Sequence, residues 1–311
     1  MRLPLYAVVL SWNNYTDTRD CIESLKKSSY PLARIILVDN GSQDGSINQL
    51  QKDYARDAQI HIIRNECNYG FARGVNVGIR YALNHGAEFI FLVNNDTIVE
   101  KTCIERLYAA IEGAHHVGVA GPRIFYYKDP KRVWLGGGYF SKIKTGVIVP
   151  EKNKKVVDCD EEIREVTFLT GCAMLIKREV FQRIGFFDEN FFLYEEDLDF
   201  CLRARREGFS LLYVPSAKVW HKIENIAKDR TSPFTLYHMA RSRIINLRKN
   251  FSWPYFLYGF TIHLLFYTPF RFLQSFRSSP SLTLKSTKAW LHGTWAGVWQ
   301  PLQPKSDGGD S

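Results

Sequence analysis

The sequence predicts an α/β fold built on a mostly parallel sheet with helices on both faces. Three observations predict it. From Leu5 to Val93 the apolar pattern switches between strand-like runs and helix-like spacing, in the order β-α-β-α-β-α-β. The strand-like runs stop at small or polar residues such as Ser11, Asp39-Asn40-Gly41 and Asn94-Asn95-Asp96. At 311 residues, 45% hydrophobic and 23% charged, the chain is long and apolar enough to bury a large core.

The elements follow in order. Leu5–Ser11 reads as the first strand, and Asp17–Ser28 carries Cys21 and Leu25 at helical spacing. Arg34–Val38 is β-branched and runs into a turn signal. Gly45–Ala55 reads as helix, Ile60–Ile63 as strand, Ala72–His85 as helix and Phe89–Val93 as strand. Ligands of such sheets bind beyond the carboxyl ends of the strands, which directs attention to Ser11, Asp39 and Asn94-Asn95-Asp96. The second half is less regular. Gly136-Gly137-Gly138 and the charged stretch Glu151–Arg164 suggest a hairpin and a surface loop. Phe168–Ile176 reads as a strand, Glu179–Ile184 as a short helix, and Asp188–Arg206 as an acidic cluster entering a helix. Leu211–Val214 reads as a strand and Pro233–Asn250 as a basic helix, while residues 301–311 read as a disordered tail.

Six dispersed cysteines (Cys21, Cys67, Cys103, Cys159, Cys172, Cys201) form no CxxC pair, which favours reduced, mostly buried thiols and a reducing compartment. Met1 to Leu10 is too short and too soon polar for a secretory signal. The net charge of +9 is unevenly spread: residues 1–221 carry 29 Lys and Arg against 28 Asp and Glu, and residues 222–311 carry 12 against 4. That excess coincides with the most aromatic stretch, Trp253 to Phe276. No recognition motif accompanies it, so nucleic acid is not an expected partner. An anionic membrane surface accounts for charge and aromatics together; a solubilising basic face over a packed helix is the alternative. Asn250 to Phe270 holds no charged residue, but Pro254, Gly259, His263 and Pro269 suit interfacial helices better than a span.

Three clusters carry chemistry. Val38-Asp39-Asn40-Gly41-Ser42 with Asp44 puts a carboxylate at a strand end beside small residues, either to receive a base or ribose edge or simply to turn. Asn94-Asn95-Asp96 supplies hard oxygen donors of the kind Mg²⁺ or Mn²⁺ prefers, or else caps the next helix. Tyr194-Glu195-Glu196-Asp197-Leu198-Asp199 gathers four carboxylates within five residues, whose crowding raises basicity as a general base requires. Acidic residues also favour a helix N-terminus, and Asp199 with Arg203 is an ordinary i,i+4 pair. His221 is either a ligand for a divalent ion or a structural histidine. Gly70, Gly74 and Gly78 are spaced GxxxGxxxG rather than GxGxxG and do not follow the first strand, which argues against a nicotinamide-dependent oxidoreductase.

Together these motifs resemble the inverting, GT-A type family-2 glycosyltransferases, especially the bacterial rhamnosyltransferase-like branch. The matching pieces are Val9–Asn13, Val38–Ser46, Asn65–Asn76, Val93–Asp96, Gly171–Met174 and Phe192–Asp199, in order over residues 4–250. The resemblance implies a GT-A nucleotide-diphospho-sugar transferase fold. We expect a catalytic domain over 1–221, its nucleotide-binding half about 1–100 and its acceptor half about 101–221, then a membrane-associating helical segment over 222–300.

The resemblance also implies roles. Ser11, Asn13, Asp39, Asn68, Gly70, Arg73, Asn76 and Asn95 would bind the nucleotide. Asp96, at the last position of a DxD-type motif, would face metal and diphosphate with His221. Asn94 stands where the motif has its first Asp and would act through its amide oxygen. Asp197 matches the catalytic base, with Glu196 beside it, while Gly171, Glu195, Asp199 and Arg203 would support the acceptor side. The implied chemistry is one inverting displacement, with Mn²⁺ or Mg²⁺ offsetting charge on the departing nucleoside diphosphate. The implied partners are a dTDP-, UDP- or GDP-linked sugar, rhamnose among the candidates, and a glycan or polyprenyl-linked acceptor in cell-surface polysaccharide synthesis. The expected location is peripheral, at the cytoplasmic face of the membrane. A second reading is a non-catalytic nucleotide-sugar-binding or scaffold subunit, against which the joint presence of Asp96, Asp197 and His221 argues.

Overall fold

The computed structural model describes residues 3–223, 231–278 and 280–302; of the tail expected over 301–311, residues 303–311 lie outside them. Its centre is a ten-stranded mixed sheet. The strands are β1 (Leu5–Ser11), β2 (Arg34–Asp39), β3 (Ile60–Arg64), β4 (Phe89–Asn94), β5 (Thr97–Val99), β6 (Val117–Tyr126), β7 (Val133–Leu135), β8 (Tyr139–Ser141), β9 (Gly146–Ile148), β10 (Arg164–Val166), β11 (Ala173–Lys177) and β12 (Ser210–His221). The main path is β10-β12-β6-β11-β4-β1-β2-β3, with β5 on β12 and β7 on β6, while β8 and β9 form a separate hairpin. Strands β4, β1, β2 and β3 are parallel, β12 is parallel to β6, and β11 lies antiparallel between β4 and β6. The carboxyl ends of β1, β2, β4, β6 and β12 therefore share one edge.

The apolar runs become central strands because both of their faces are covered. Leu5, Ala7 and Val9 of β1 pack with α1 (Tyr15–Lys26), α2 (Ser46–Asp53) and α4 (Cys103–Ile111). Tyr6 and Val8 point the other way, toward α3 (Gly70–Asn84), α5 (Arg178–Ile184) and α6 (Glu196–Arg206). Packing explains the GxxxGxxxG spacing. A Cβ on Gly74 would lie 2.7 Å from Leu10 Cδ1, and one on Gly78 2.7 Å from Val8 Cγ1, so only glycine lets α3 lie this close to β1.

The second half holds more sheet than its sequence suggests. β6, ten residues long and almost wholly buried, and helix α4 have no counterpart in the sequence reading. The expected strand Phe168–Ile176 starts only at Ala173. Ahead of it Thr170 turns the chain, its Oγ1 accepting from Cys172 N–H and its carbonyl from Ala173 N–H. The strand expected over Leu211–Val214 continues past a bulge to His221, which is thus its last residue rather than a loop residue.

After the described residue Ile223, helices α7 (Pro233–Asn250), α8 (Trp253–Ile262), a π turn (His263–Tyr267), α9 (Thr268–Ser278) and α10 (Thr283–Trp299) follow. Gly293 and Gly297 of α10 abut the backbone of α7 at Tyr237 and Arg241. No helix among the described residues is long and apolar enough to cross a membrane.

Gly70 has φ +79°, and a Cβ there would sit 2.4 Å from the carbonyl oxygen of Phe192. Gly86, at φ +87°, has open space around it. Gly86→Ala is expected to cost about 1 kcal/mol and Gly70→Ala more than about 3 kcal/mol. Urea unfolding of both variants checks this; equal losses would show that the contact with Phe192 is easily relieved.

Candidate active site

Register brings the strand-end residues together. Ser11 pairs with Asp39 across β1 and β2, and Leu10 with Asn94 across β1 and β4. Ser11 Oγ lies 2.8 Å from Thr18 Oγ1, which accepts from Asn95 Nδ2 at 2.9 Å. The loops after β1 and β2 are laced to each other. Asn13 N–H donates to Ser42 Oγ, Gln43 N–H to Asn13 Oδ1, and Asn14 N–H to Asp44 Oδ2. Asn13 and Asn14 both adopt positive φ to do so, a region asparagine tolerates. Asp39 is buried, accepts from Ser42 N–H and has Arg64 Nε 3.9 Å away.

Asn40, read from sequence as part of a turn, is the buried hub of the next loop. Its Nδ2 donates to Asn68 Oδ1 and Gly70 O, and its Oδ1 accepts from Asn65 Nδ2 and Tyr69 N–H. Asn68 Oδ1 also caps Gly70 N–H at 2.9 Å, so this amide shapes the loop. Arg73 stacks over Tyr69, 4.0 Å from the ring centre, with Glu189 at 3.9 Å. Asn76 departs from expectation. It is fully buried, its Nδ2 donates to Phe187 O and Glu189, and its Oδ1 accepts from Phe187 N–H. Both ends of that amide tie α3 to the segment before α6, leaving none for a nucleotide.

At the next strand ends, Asp96 Oδ1 and His221 Nε2 lie 2.9 Å apart. Lys222 N–H donates to Asp96 O, and Lys222 Nζ bridges Asp17 and Asp20 of α1, which fixes the end of β12 against α1. On the other ring edge, His221 Nδ1 faces Cys172 Sγ at 3.6 Å, and Trp134 packs edge-on at 4.5 Å. Burial and the charge of Asp96 push the Cys172 thiol well up, so it is protonated. If Nδ1 donates to that sulfur, the Nε2 lone pair is free for a cation shared with Asp96.

The pair suits a small divalent ion. Asp96 Oδ1 is buried and lacks a well-directed hydrogen bond despite its closeness to His221. A 2.9 Å gap is about that between adjacent ligands held at ~2.1 Å on an octahedral ion. No set of three His, Cys, Asp or Glu ligands gathers anywhere among the described residues. Two protein ligands completed by substrate phosphate oxygens and water would match the habits of Mg²⁺ and Mn²⁺. Asn94 joins this corner through its backbone: its carbonyl accepts from Thr97 Oγ1 at 2.7 Å and its N–H donates to Cys172 O.

Asp197 stands on the first turn of α6, half-buried at the same edge. Gly171 N–H donates to its Oδ2 at 3.2 Å and Leu198 N–H to its Oδ1 at 2.9 Å. Burial raises its pKa to about 6, against the lowering effect of the Gly171 bond, and the charge of Glu195 adds to the rise. Glu196 is buried with Oε2 unpartnered; burial, then the charge of Asp197, push it well above the carboxylate range. Gly171 is packed between Phe71 and the Asp197 Cβ. Through Gly171 and Cys172, adjacent in sequence, the carboxylate on α6 and the His221–Asp96 pair are held one residue apart. Asp199 and Arg203 are buried and paired at 2.7 Å, with Arg203 also donating to Ile184 O and Phe186 O, so both anchor α6.

Sequence reasoning missed Asn40, Thr18 and Lys222, whose polar side chains turn inward. For Asn40 the signal lay in three Asn and Gly positions, Asn65, Asn68 and Gly70; for Lys222 only the fold reveals it.

Comparisons with known proteins agree with this fold. Residues 6–185 match the model of "Glycosyl transferase family 2". The chain is 28% identical over 246 residues to the low-salt glycan biosynthesis hexosyltransferase Agl10 of Haloferax volcanii, covering 77% of this chain and 75% of the relative. It is 26% identical over 258 residues to an N-acetylglucosaminyl-diphospho-decaprenol L-rhamnosyltransferase of Mycobacterium tuberculosis, covering 76% and 82%. Among solved structures, GalNAc-T7 with UDP, GalNAc and Mn²⁺ superposes with a TM-score of 0.65 at 18% identity, over 97% of this chain and 59% of that longer one. The sheet and its flanking helices are those of the GT-A glycosyltransferases, and the chain belongs to glycosyl transferase family 2.

Proposed function

We propose that this glycosyltransferase moves a sugar from a nucleoside-diphosphate donor to an acceptor hydroxyl with inversion, Asp197 acting as the general base. The observation that carries the reading is the half-buried Asp197 at the head of α6, its pKa raised to about 6, fixed by Gly171 N–H next to the Asp96–His221 corner. The laced loops after β1 and β2 would receive the nucleoside, with Asp39 and Ser11 toward it. Asp96 and His221 would hold Mn²⁺ or Mg²⁺, which when bound offsets charge on the departing diphosphate. Asp197 takes the proton of the acceptor hydroxyl as that oxygen attacks the anomeric carbon opposite the leaving group. Rhamnose or another hexose fits what the relatives' names state, and the decaprenol in one of them favours a lipid-linked acceptor.

The C-terminal helices support a place at the membrane. Between residues 231 and 302 there is no Asp or Glu, while eight Lys and Arg are present. Leu265 and Phe266 of the π turn are each 64% exposed, and Phe270 and Phe276 of α9 each 57%. Exposed apolar side chains on helices of net positive charge suit the cytoplasmic leaflet, whose lipids are anionic. That placement would bring lipid-linked acceptors to the site.

Asp197→Asn is expected to bind donor normally and to lose sugar transfer by about 100-fold or more. A screen of UDP-, dTDP- and GDP-sugars with Mn²⁺ identifies the donor first; wild-type turnover by the variant removes Asp197 from the chemistry. Because folding raises this pKa, the folded chain holds the proton more tightly than the unfolded one. The group's contribution to stability therefore falls as pH rises from about 4 to about 6 and is flat above. Activity runs the other way, with kcat/KM expected to drop about tenfold per pH unit below about 6.

The membrane reading predicts co-sedimentation of the full chain with vesicles rich in anionic lipid, weakened by Leu265→Glu with Phe266→Glu. Equal binding by the variant, or none by the wild type, rejects that face.

A further inference from the structure

The family match ends at residue 185, yet the entry to the helix carrying Asp197 is held by residues beyond it. Glu195 precedes that helix, and Tyr194 and Glu195 are consecutive non-glycine residues with positive φ, 68° and 67°. Such a pair persists only where its surroundings over-determine it. Helix α7 supplies those surroundings. Asn246 Nδ2 donates to Glu195 Oε2 at 2.7 Å. Asn250 Nδ2 donates to both Asn246 Oδ1 and Asp199 Oδ1, at 2.8 and 2.7 Å. Ser242 Oγ donates to Leu193 O and Arg241 Nη2 to Asn190 O.

The segment so held has two working sides. Toward the nucleotide loop, Phe192 O accepts from Phe71 N–H and abuts Gly70. Toward the acceptor, the segment leads into Glu195 and the first turn of α6. We infer that Asn246 is a positioning residue for the Asp197 carboxylate: by bonding Glu195 it holds the left-handed entry to α6 and so sets where the base stands. The inference rests on Asp197 being the base. It adds that a residue on a helix outside the matched region governs the rate of the chemical step rather than donor affinity. Asn246 is nearly buried and both ends of its amide are used, so a side chain without that donor leaves Glu195 unanchored.

The test is steady-state kinetics on the full chain with the donor found in the screen. Asn246→Ala is expected to lower kcat at least tenfold with donor KM within twofold of wild type. Asn246→Asp keeps the volume and the acceptor for Asn250 but opposes a like charge to Glu195; it guards against a variant that fails to fold and is expected to lose kcat similarly. Arg248→Met is the control, since Arg248 ties α7 to the Gly297 and Gln300 carbonyls of the C-terminal helix without touching the Asp197 segment. It is expected to lower the melting temperature and leave kcat within twofold. Wild-type kcat in both Asn246 variants, or equal kcat losses in Arg248→Met and Asn246→Ala, overturns the inference. Asp197→Asn run alongside separates the two claims. Full turnover by that variant defeats the base assignment, whereas an inactive Asp197→Asn with active Asn246 variants defeats only the positioning role.

Discussion

The hydrogen bond from Gly171 N–H to Asp197 joins the parts of this molecule that arrive from opposite directions in sequence. Gly171 ends the loop before β11, and β11 is the antiparallel strand wedged between β4 and β6. That wedge brings the loop to the edge where the parallel strands end. Cys172, the next residue, accepts a hydrogen bond from Asn94 N–H at its backbone carbonyl and sets its thiol against His221. One turn of chain thus touches the carboxylate on α6, the corner built by Asp96 and His221, and the end of β4. A side chain at position 171 would press on the ring of Phe71, 3.1 Å from a Cβ, and part these elements.

The first half of the fold was legible because its strands are buried on both faces, so their apolar runs are unbroken and end at polar residues. Leu5–Ser11 is read from sequence with the bounds it has, and the other early strands differ by a residue. The clusters at Asp39, Asn94–Asp96 and Tyr194–Asp199 were visible since acidic and amide residues stand out after apolar ones. What failed has physical causes. β6 contains Gly118, Gly121, Pro122 and Arg123, which mask its period, although Arg123 is buried by pairing with Glu151 and Tyr213. Phe168–Cys172 looks like a strand because it is apolar, but Thr170 turns it. Asn76 ends a stretch that also holds Asn65, Asn68 and Arg73, and nothing local tells a buried amide serving the backbone from one serving a nucleotide.

The C-terminal helices are tied to the sheet and its helices by hydrogen bonds, not only by proximity. Helix α7 reaches Asn190, Leu193, Glu195 and Asp199, so its polar residues face the sheet domain. The tip of the β8–β9 hairpin is held from the same side: Tyr255, Tyr258 and Tyr267 donate to the carbonyls of Lys142, Ile143 and Lys144. This spends the hydrogen-bonding ends of three tyrosines inward and leaves the apolar side chains of α8, the π turn and α9 on the outer surface. The sequence of this region, rich in aromatics and free of carboxylates from 231 to 302, is what such a division requires.

Two adjacent carboxyl groups at the head of α6 divide their roles through hydrogen bonding. Burial disfavours the charged form of both Glu196 and Asp197; the charge of Asp197 raises Glu196 further, and that of Glu195 raises Asp197. Asp197 receives two backbone N–H groups, from Gly171 and Leu198, whereas Glu196 Oε2 has no partner. The proton therefore resides on Glu196, and Asp197 is left to ionise near neutrality. A lone exposed aspartate would ionise two pH units lower and be a correspondingly weaker base. Burial places one carboxylate of Glu195-Glu196-Asp197 in the useful range, the neighbouring charge adds to that, and the Gly171 bond decides which one.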